Sequence, residues 1–281
     1  MEFIIFASHA KHQNMSAEKL QKIKSQEKSI DKLLELMRAL RDPDGGCPWD
    51  LEQDFKSIAK HTIEEAYEVA DAIEREDMSD LKDELGDLLL QVVFHSQMAA
   101  DEGLFDFADV AGHVADKMIE RHPHVFGDVK NITNGNEVID VWETQKEKQK
   151  PRESALDGVT FGIPALMRAQ KLQKRAARVG FEWDDVSGAV EKFKEEMAEF
   201  EEALAGSDSD HLREEFGDVM FTLVNIGRML DFDVEETTRA ANSKFERRFR
   251  GMEKLIKEKY ADLKDASLEE KEDAWQAQKK D

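Results

Sequence analysis

Glu195, Glu196 and Glu199, followed by Glu215 and Asp218, stand in the stretch KFKEEMAEFEEALAGSDSDHLREEFGD (192–218). On a helix, residues three apart share a face, so Glu196 stands with Glu199 and Glu215 with Asp218. If two helices are joined by a tight turn at 206–210, the four acids Glu196, Glu199, Glu215 and Asp218 converge. Carboxylates alone make an oxygen-only ligand set, which suits Mg²⁺, with Mn²⁺ as the alternative, rather than zinc or copper. A di-iron bundle would need Glu-x-x-His pairs, and the sequence contains none. Mg²⁺ keeps several waters and is often completed by substrate phosphates.

The plain alternative is a solvated acidic face. Acids number 62 against 40 bases in 281 residues, so an isolated pair such as Glu137/Asp140 carries little information. What distinguishes the five acids is recurrence. Glu64, Glu65, Glu68, Glu84 and Asp87 fall 131 residues before Glu195, Glu196, Glu199, Glu215 and Asp218, with identical internal spacing. Gly86 pairs with Gly217 at the same shift. Lys117 and Arg121 pair with Lys244 and Arg248 at a shift of 127, and Trp49-Asp50 pairs with Trp183-Asp184. The chain is a duplication, and Glu65, Glu68, Glu84 and Asp87 form a second candidate metal set. Both sets also border apolar residues, such as Leu81 and Leu88 beside Glu84, where an uncompensated carboxylate is costly.

Cations for a phosphate chain are available nearby. Lys244 and Arg248 lie one helical turn apart, and the Arg fork fits phosphate. Lys192 precedes Glu196 by one turn, and Trp275 stands in a polar tail, either to stack on a base or to anchor that tail. Neither a Walker loop nor a GxGxxG occurs, so a backbone phosphate cradle of those types is excluded.

The elements that must hold these residues are helical. Glu, Lys, Ala and Leu dominate, while Gly (15) and Pro (5) are scarce. A helical stripe runs through Ile30, Leu33, Leu34, Met37 and Leu40, and a turn-rich 42–48 ends it. Helical patterns follow over 55–75, 81–98 and 105–121. The run 88–94 is apolar almost all round and so predicts a buried helix. His122-Pro123-His124 stops the third pattern, and 131–136 is a polar loop. From 166 to about 259 the pattern is helical again, broken near 180–185, 206–210 and 231–233. No run alternates like a strand. The expected organisation is a loose extension over 1–29, a first domain over 30–150, a linker over 151–164 and a second domain over 165–281.

Composition limits the partners. A formal charge of −22 argues against general nucleic-acid or anionic-membrane binding. The apolar run at 3–7 is too short to span a bilayer. Cys47 is the one cysteine, which excludes a disulfide framework and suits a reducing cytoplasm.

Taken together, the motifs GCPWD (46–50), EEAYE (64–68), DELGD (83–87), RHPHVFGD (121–128), PALMRAQKLQKR (164–175), VGFEWD (179–184), EEMAE (195–199), EEFGD (214–218) and NSKFERRFR (242–250) resemble the MazG family with two tandem copies of its domain. The resemblance implies an all-α fold in which helical hairpins assemble into four-helix bundles through a homodimer. It implies Mg²⁺-dependent hydrolysis of nucleoside triphosphates to monophosphate and pyrophosphate, with broad base tolerance. Its metal ligands map onto Glu196, Glu199, Glu215 and Asp218. Its nucleotide contacts map onto Lys192, Glu195 and Glu196, onto His211 and Glu214, onto Lys244, Arg247 and Arg248, and onto Trp275. His211 departs from the lysine expected there. Glu195, or a metal-bound hydroxide, would take the proton of the attacking water. Lys192 and Arg247 correspond to His61 and Glu120 in the first half, so the second half is expected to be the main catalytic site. Competing readings are a non-enzymatic helical scaffold whose acids bind divalent ions, and hydrolysis of a different diphosphate.

Overall fold

The computed structural model describes residues 17–127 and 153–279, together with Val138, Val141, Trp142 and Gln145. The polar loop expected at 131–136 lies outside the described residues. Every regular element among them is helical. The chain divides into two compact units, Met1–Gln149 and Lys150–Asp281.

In the first unit the helices are α1 (Ala17–Lys24), α2 (Ser29–Leu40), α3 (Pro48–Glu52), α4 (Phe55–Glu74), α5 (Met78–Asp101), α6 (Phe107–Arg121) and α7 (Pro123–Phe126). In the second they are α8 (Ala165–Arg178), α9 (Val186–Ala205), α10 (Ser209–Met229), α11 (Val234–Lys257) and α12 (Leu268–Ala277), with a 3₁₀ turn at Leu263–Asp265 before α12. The segment 1–29, expected to be loose, therefore contains a helix. α1 docks on α2 by burying Ile23 and by an ion pair from Lys22 Nζ to Glu35 Oε1 at 2.5 Å.

Capping explains where the long helices begin, and it follows the duplication. Asp54 accepts from the Ser57 amide at the start of α4, and Asp185, 131 positions later, accepts from Ser187 at the start of α9. Asp77 and Asp208 cap α5 and α10 in the same way, as do Asp106 and Asp233 for α6 and α11. Each satisfies amides that the first turn leaves unpaired. At the other end of α8, Gly180 takes a left-handed φ of +85°. Its amide bonds Ala177 O and that of Phe181 bonds Ala176 O, a closure that glycine permits without strain. The reversal carries Phe181 and Trp183 back along α8.

The organising motif of each unit is a hairpin, α4 with α5 and α9 with α10. In the first unit α2 covers α5, and the core contains Met37, Ile58, Val93, Phe94 and Met98. In the second, α8 packs on α10 and α11, while α11 and α12 close over Met252, Ile256 and Ala266.

The apolar run on α5 is not buried all round. Leu85, Leu89 and Val92 remain 49, 39 and 37% exposed. Their counterparts 131 residues on, Phe216, Met220 and Leu223 on α10, are 55, 37 and 47% exposed. Spaced i, i+4 and i+7, each trio is one helical stripe. A single hairpin backed by one further helix covers only part of a helix that is greasy on several sides. No helix among the described residues is long and apolar enough to cross a membrane.

Candidate metal centre

The hairpins bring three acids together in each unit. Glu196, Glu215 and Asp218 each offer a carboxylate oxygen, and these oxygens lie within 4.8 Å of one another. Glu65, Glu84 and Asp87 do the same in the first unit. Glu196 is buried, Glu215 half-buried and Asp218 exposed, so the trio spans the edge from hairpin interior to solvent.

Glu199 and Glu68, the fourth members of the expected quartets, are exposed and stand outside these trios. An i, i+3 step rotates a side chain around the helix as well as along it, so sharing a face does not guarantee a common focus. Both remain electrostatically close. Burial raises the pKa of Glu199, and the charges of Glu196 and Glu215 push in the same direction against Lys192. Burial likewise raises Glu65, followed by a hydrogen bond with Glu68 and the charges of Glu68, Asp87 and Glu84. Burial and then the charges of Glu68, Asp80 and Asp87 raise Glu84. Crowded carboxylates that resist ionisation in isolation are the donor set a hard divalent cation relieves.

In the second unit Lys192 stands beside the trio. Its Nζ lies 2.7 Å from Glu195 Oε1 and 2.7 Å from Glu196 Oε1. Hydrogen bonds to Glu195 and then Glu196 hold its pKa well above the ordinary lysine value. In the first unit the corresponding His61 lies 3.4 Å from Glu64. His211 Nδ1 lies 3.3 Å from Glu215 Oε1, a pair that is ionic only when the imidazole is protonated. Glu195 on α9 and Glu214 on α10 are exposed.

A cavity of about 350 Å³ opens beside the second trio. Lys192, Glu196 and Asp218 contribute to its lining, and Leu172, Phe181, Trp183 and Phe221 supply apolar surface. Gln173, Asn225 and Arg228 are among its polar lining residues. Trp183 rests against Gly188, where an added Cβ would lie 2.4 Å from the indole Cδ1.

Lys244, Arg247, Arg248 and Trp275 do not line this cavity. The three cations sit on α11, and Trp275 on α12 packs 5.3 Å from the Phe245 ring as part of the cluster that closes α12 onto α11. Trp275 therefore anchors the tail in this structure. Sequence reasoning missed the cavity residues Phe181, Gln173, Asn225 and Arg228. One signal was present. Asn225 interrupts the apolar run 219–226 at the position where the first unit has Phe94.

Residues 53–126 and 186–251 match the MazG nucleotide pyrophosphohydrolase domain, one copy in each unit. The chain is 48% identical over 256 residues to the nucleoside triphosphate pyrophosphohydrolase of Escherichia coli K12, covering 89% of this chain and 97% of that protein. It is 40% identical over 252 residues to the nucleoside triphosphate pyrophosphohydrolase/pyrophosphatase MazG of Thermotoga maritima, covering 89% and 95% respectively.

Proposed function

Because this chain belongs to the MazG nucleotide pyrophosphohydrolase family, we propose that it hydrolyses nucleoside triphosphates to nucleoside monophosphate and pyrophosphate with Mg²⁺ as its metal. The observation that carries the reading is the convergence of Glu196, Glu215 and Asp218 within 4.8 Å at the mouth of a cavity that also holds Lys192. Glu196, Glu215 and Asp218 would hold the ion, with Glu199 beside them, and Glu65, Glu84 and Asp87, with Glu68, form the equivalent set in the first unit. When bound, such an ion neutralises phosphate charge and lowers the pKa of its water.

The side chains do the rest. Lys192 fixes the carboxylates of Glu195 and of Glu196, the latter within the trio, and offers an ammonium to a phosphate oxygen. Glu195, exposed next to that ammonium, takes the proton of the water that attacks phosphorus. The second unit is the main site, because His61 replaces Lys192 in the first and Glu120 stands where Arg247 does.

The active form is a homodimer. Leu85, Leu89 and Val92, and again Phe216, Met220 and Leu223, leave the same stripe bare on both hairpins. Pairing each hairpin with that of a second chain completes a four-helix bundle and removes the stripes from water. Lys244, Arg247 and Arg248 would then act on phosphate from the assembled protein, a role that one chain's cavity lining does not supply. The deciding experiment is product identification with Mg²⁺ and a nucleotide panel. Monophosphate plus pyrophosphate supports the reading. Diphosphate plus phosphate, or no turnover beyond a metal-dependent gain in stability, rejects it and favours different chemistry or the scaffold.

A further inference from the structure

We propose that Arg175 is a positioning residue that latches the turn 153–159 onto α8 as a strap. Leu156 of the strap forms part of the cavity lining, and the strap releases to admit substrate and settles back over it. The inference rests on the pyrophosphohydrolase reading of the trio and adds how access to that site is controlled.

The chain just ahead of α8 is a closed turn, tied mainly to itself. Asp157 Oδ2 accepts from the Glu153 amide at 3.1 Å and from the Ser154 amide at 3.0 Å. Ser154 Oγ accepts from the Leu156 amide at 3.2 Å, and Ser154 O accepts from the Asp157 amide at 3.1 Å. Gly158 then takes a left-handed φ of +77°, which glycine adopts without strain. These bonds satisfy the turn's own amides and fix its shape locally.

Its attachment to α8 is slighter. Arg175 Nη1 donates to Ala155 O at 3.5 Å and to Asp157 O at 3.4 Å, the long end of hydrogen bonding. Leu156 lines the cavity together with Leu172 and Ala176 of α8, yet it remains 45% exposed. A segment bonded closely within itself and loosely to its neighbour, with little apolar area buried, opens as one piece at small cost. At its far end Phe161 lies under the Arg168 guanidinium, 4.6 Å from the ring centre, just before Pro164 begins α8. The turn therefore swings about 160–163 while that end stays pinned.

The first unit supplies the contrast. There the chain ahead of α2 is itself a helix, α1, docked by buried Ile23 and by the Lys22–Glu35 ion pair. The loosely held turn belongs instead to the unit whose cavity Lys192, Glu196 and Asp218 help to line.

Hydrogen exchange on the full-length protein reads the strap directly. The probe is α,β-methylene-ATP with Mg²⁺, which resists cleavage between the α and β phosphorus atoms. At saturation the Leu156, Asp157 and Val159 amides should exchange about tenfold more slowly than in the free protein. Arg175→Met deletes the latch donors, and Leu156→Ala trims the strap while leaving the latch in place. Each should raise KM for ATP by about three- to tenfold, with the loss in KM rather than kcat. Arg175→Met should also speed strap exchange in the free protein, and Arg175→Lys, which keeps a donor, should recover part of the KM. Release of no pyrophosphate from any nucleotide by the wild type sinks the activity reading. Strap amides that exchange equally with and without the analogue sink the strap alone, as does an unchanged KM in both folded variants of an active enzyme.

Discussion

Lys192 Nζ lies 2.7 Å from Glu196 Oε1, so the most buried acid of the second trio already has a counter-ion within its own helix. A divalent ion and a fixed ammonium compete for that carboxylate, while the same ammonium favours an arriving phosphate. Lys192→Met separates the two effects. Metal affinity in the absence of nucleotide should rise a few-fold, and KM for the triphosphate should rise by about tenfold, the loss of one charge-assisted hydrogen bond. Calorimetric Mg²⁺ titration and steady-state kinetics read the two separately. Weaker metal binding in the variant would mean that Lys192 organises the trio rather than competing for it.

Glu196→Gln and Glu215→Gln each remove one charge while keeping nearly the same volume. Turnover should fall by about 10²-fold or more, because an oxygen ligand and part of the site's charge are lost together. Added Mg²⁺ should raise the melting temperature of the wild type and do so much less in either variant, since only a bound ligand stabilises by mass action. Far-UV circular dichroism should stay helical. An undiminished Mg²⁺ stabilisation in both variants would move the metal elsewhere.

Phe216 and Leu223 are the end members of the bare stripe on α10. Introducing Phe216→Glu together with Leu223→Glu, and the matching Leu85→Glu with Val92→Glu on α5, places charge where hairpin pairing needs apolar contact. Sedimentation should shift from dimer toward monomer. Activity should then become dependent on protein concentration. A wild-type protein that sediments as a monomer at all concentrations removes the bundle argument.

Much of this was readable beforehand because helices announce themselves locally. Breaks expected near 180–185, 206–210 and 231–233 coincide with the gaps between α8, α9, α10 and α11, each closed by an aspartate cap on the next helix. The duplication was legible as arithmetic. What escaped was anything requiring two elements to meet at known depth. Spacing placed Glu199 on the face of Glu196, but its carboxylate ends outside the trio. The run around Val92 reads as uniformly buried, yet Leu85, Leu89 and Val92 on one side of α5 stay 37 to 49% exposed. The cavity could not be read at all, since it depends on Asn225 failing to fill the space that Phe94 fills.

Trp183 owes its position to Gly188, because a methyl group there would collide with the indole. Gly188→Ala lies inside α9, where alanine is by itself the better helix former. The variant should fold at least as well and yet bind nucleotide about three- to tenfold more weakly, with the loss in KM. Intrinsic tryptophan emission should change as the ring moves. Unchanged KM with a shifted emission spectrum would show that Trp183 lies outside the nucleotide's reach.

Tyr260 and Glu270 tie the end of α11 to α12, the tyrosine hydroxyl donating to the carboxylate. That bond, ahead of those from the Ser267 amide and hydroxyl, lowers the pKa of Glu270, and the same bond is the first cause of the raised pKa of Tyr260. The signs give two windows. A carboxylate with a depressed pKa adds stability above its unfolded value near 4.5 and loses it as pH falls through the folded value. A phenol with a raised pKa adds stability below its unfolded value near 10 and loses it as pH rises through the folded one. Tyr260→Phe keeps the ring packed on Met252, Ile256 and Ala266 but deletes the donor. The variant should melt a few degrees lower near neutrality, and the difference should shrink at pH below 4 and above 10. Ser267 still holds Glu270, so some acid sensitivity persists. A melting difference that stays constant from acid to alkali would show that the missing hydroxyl acts through packing, not through its bond to Glu270.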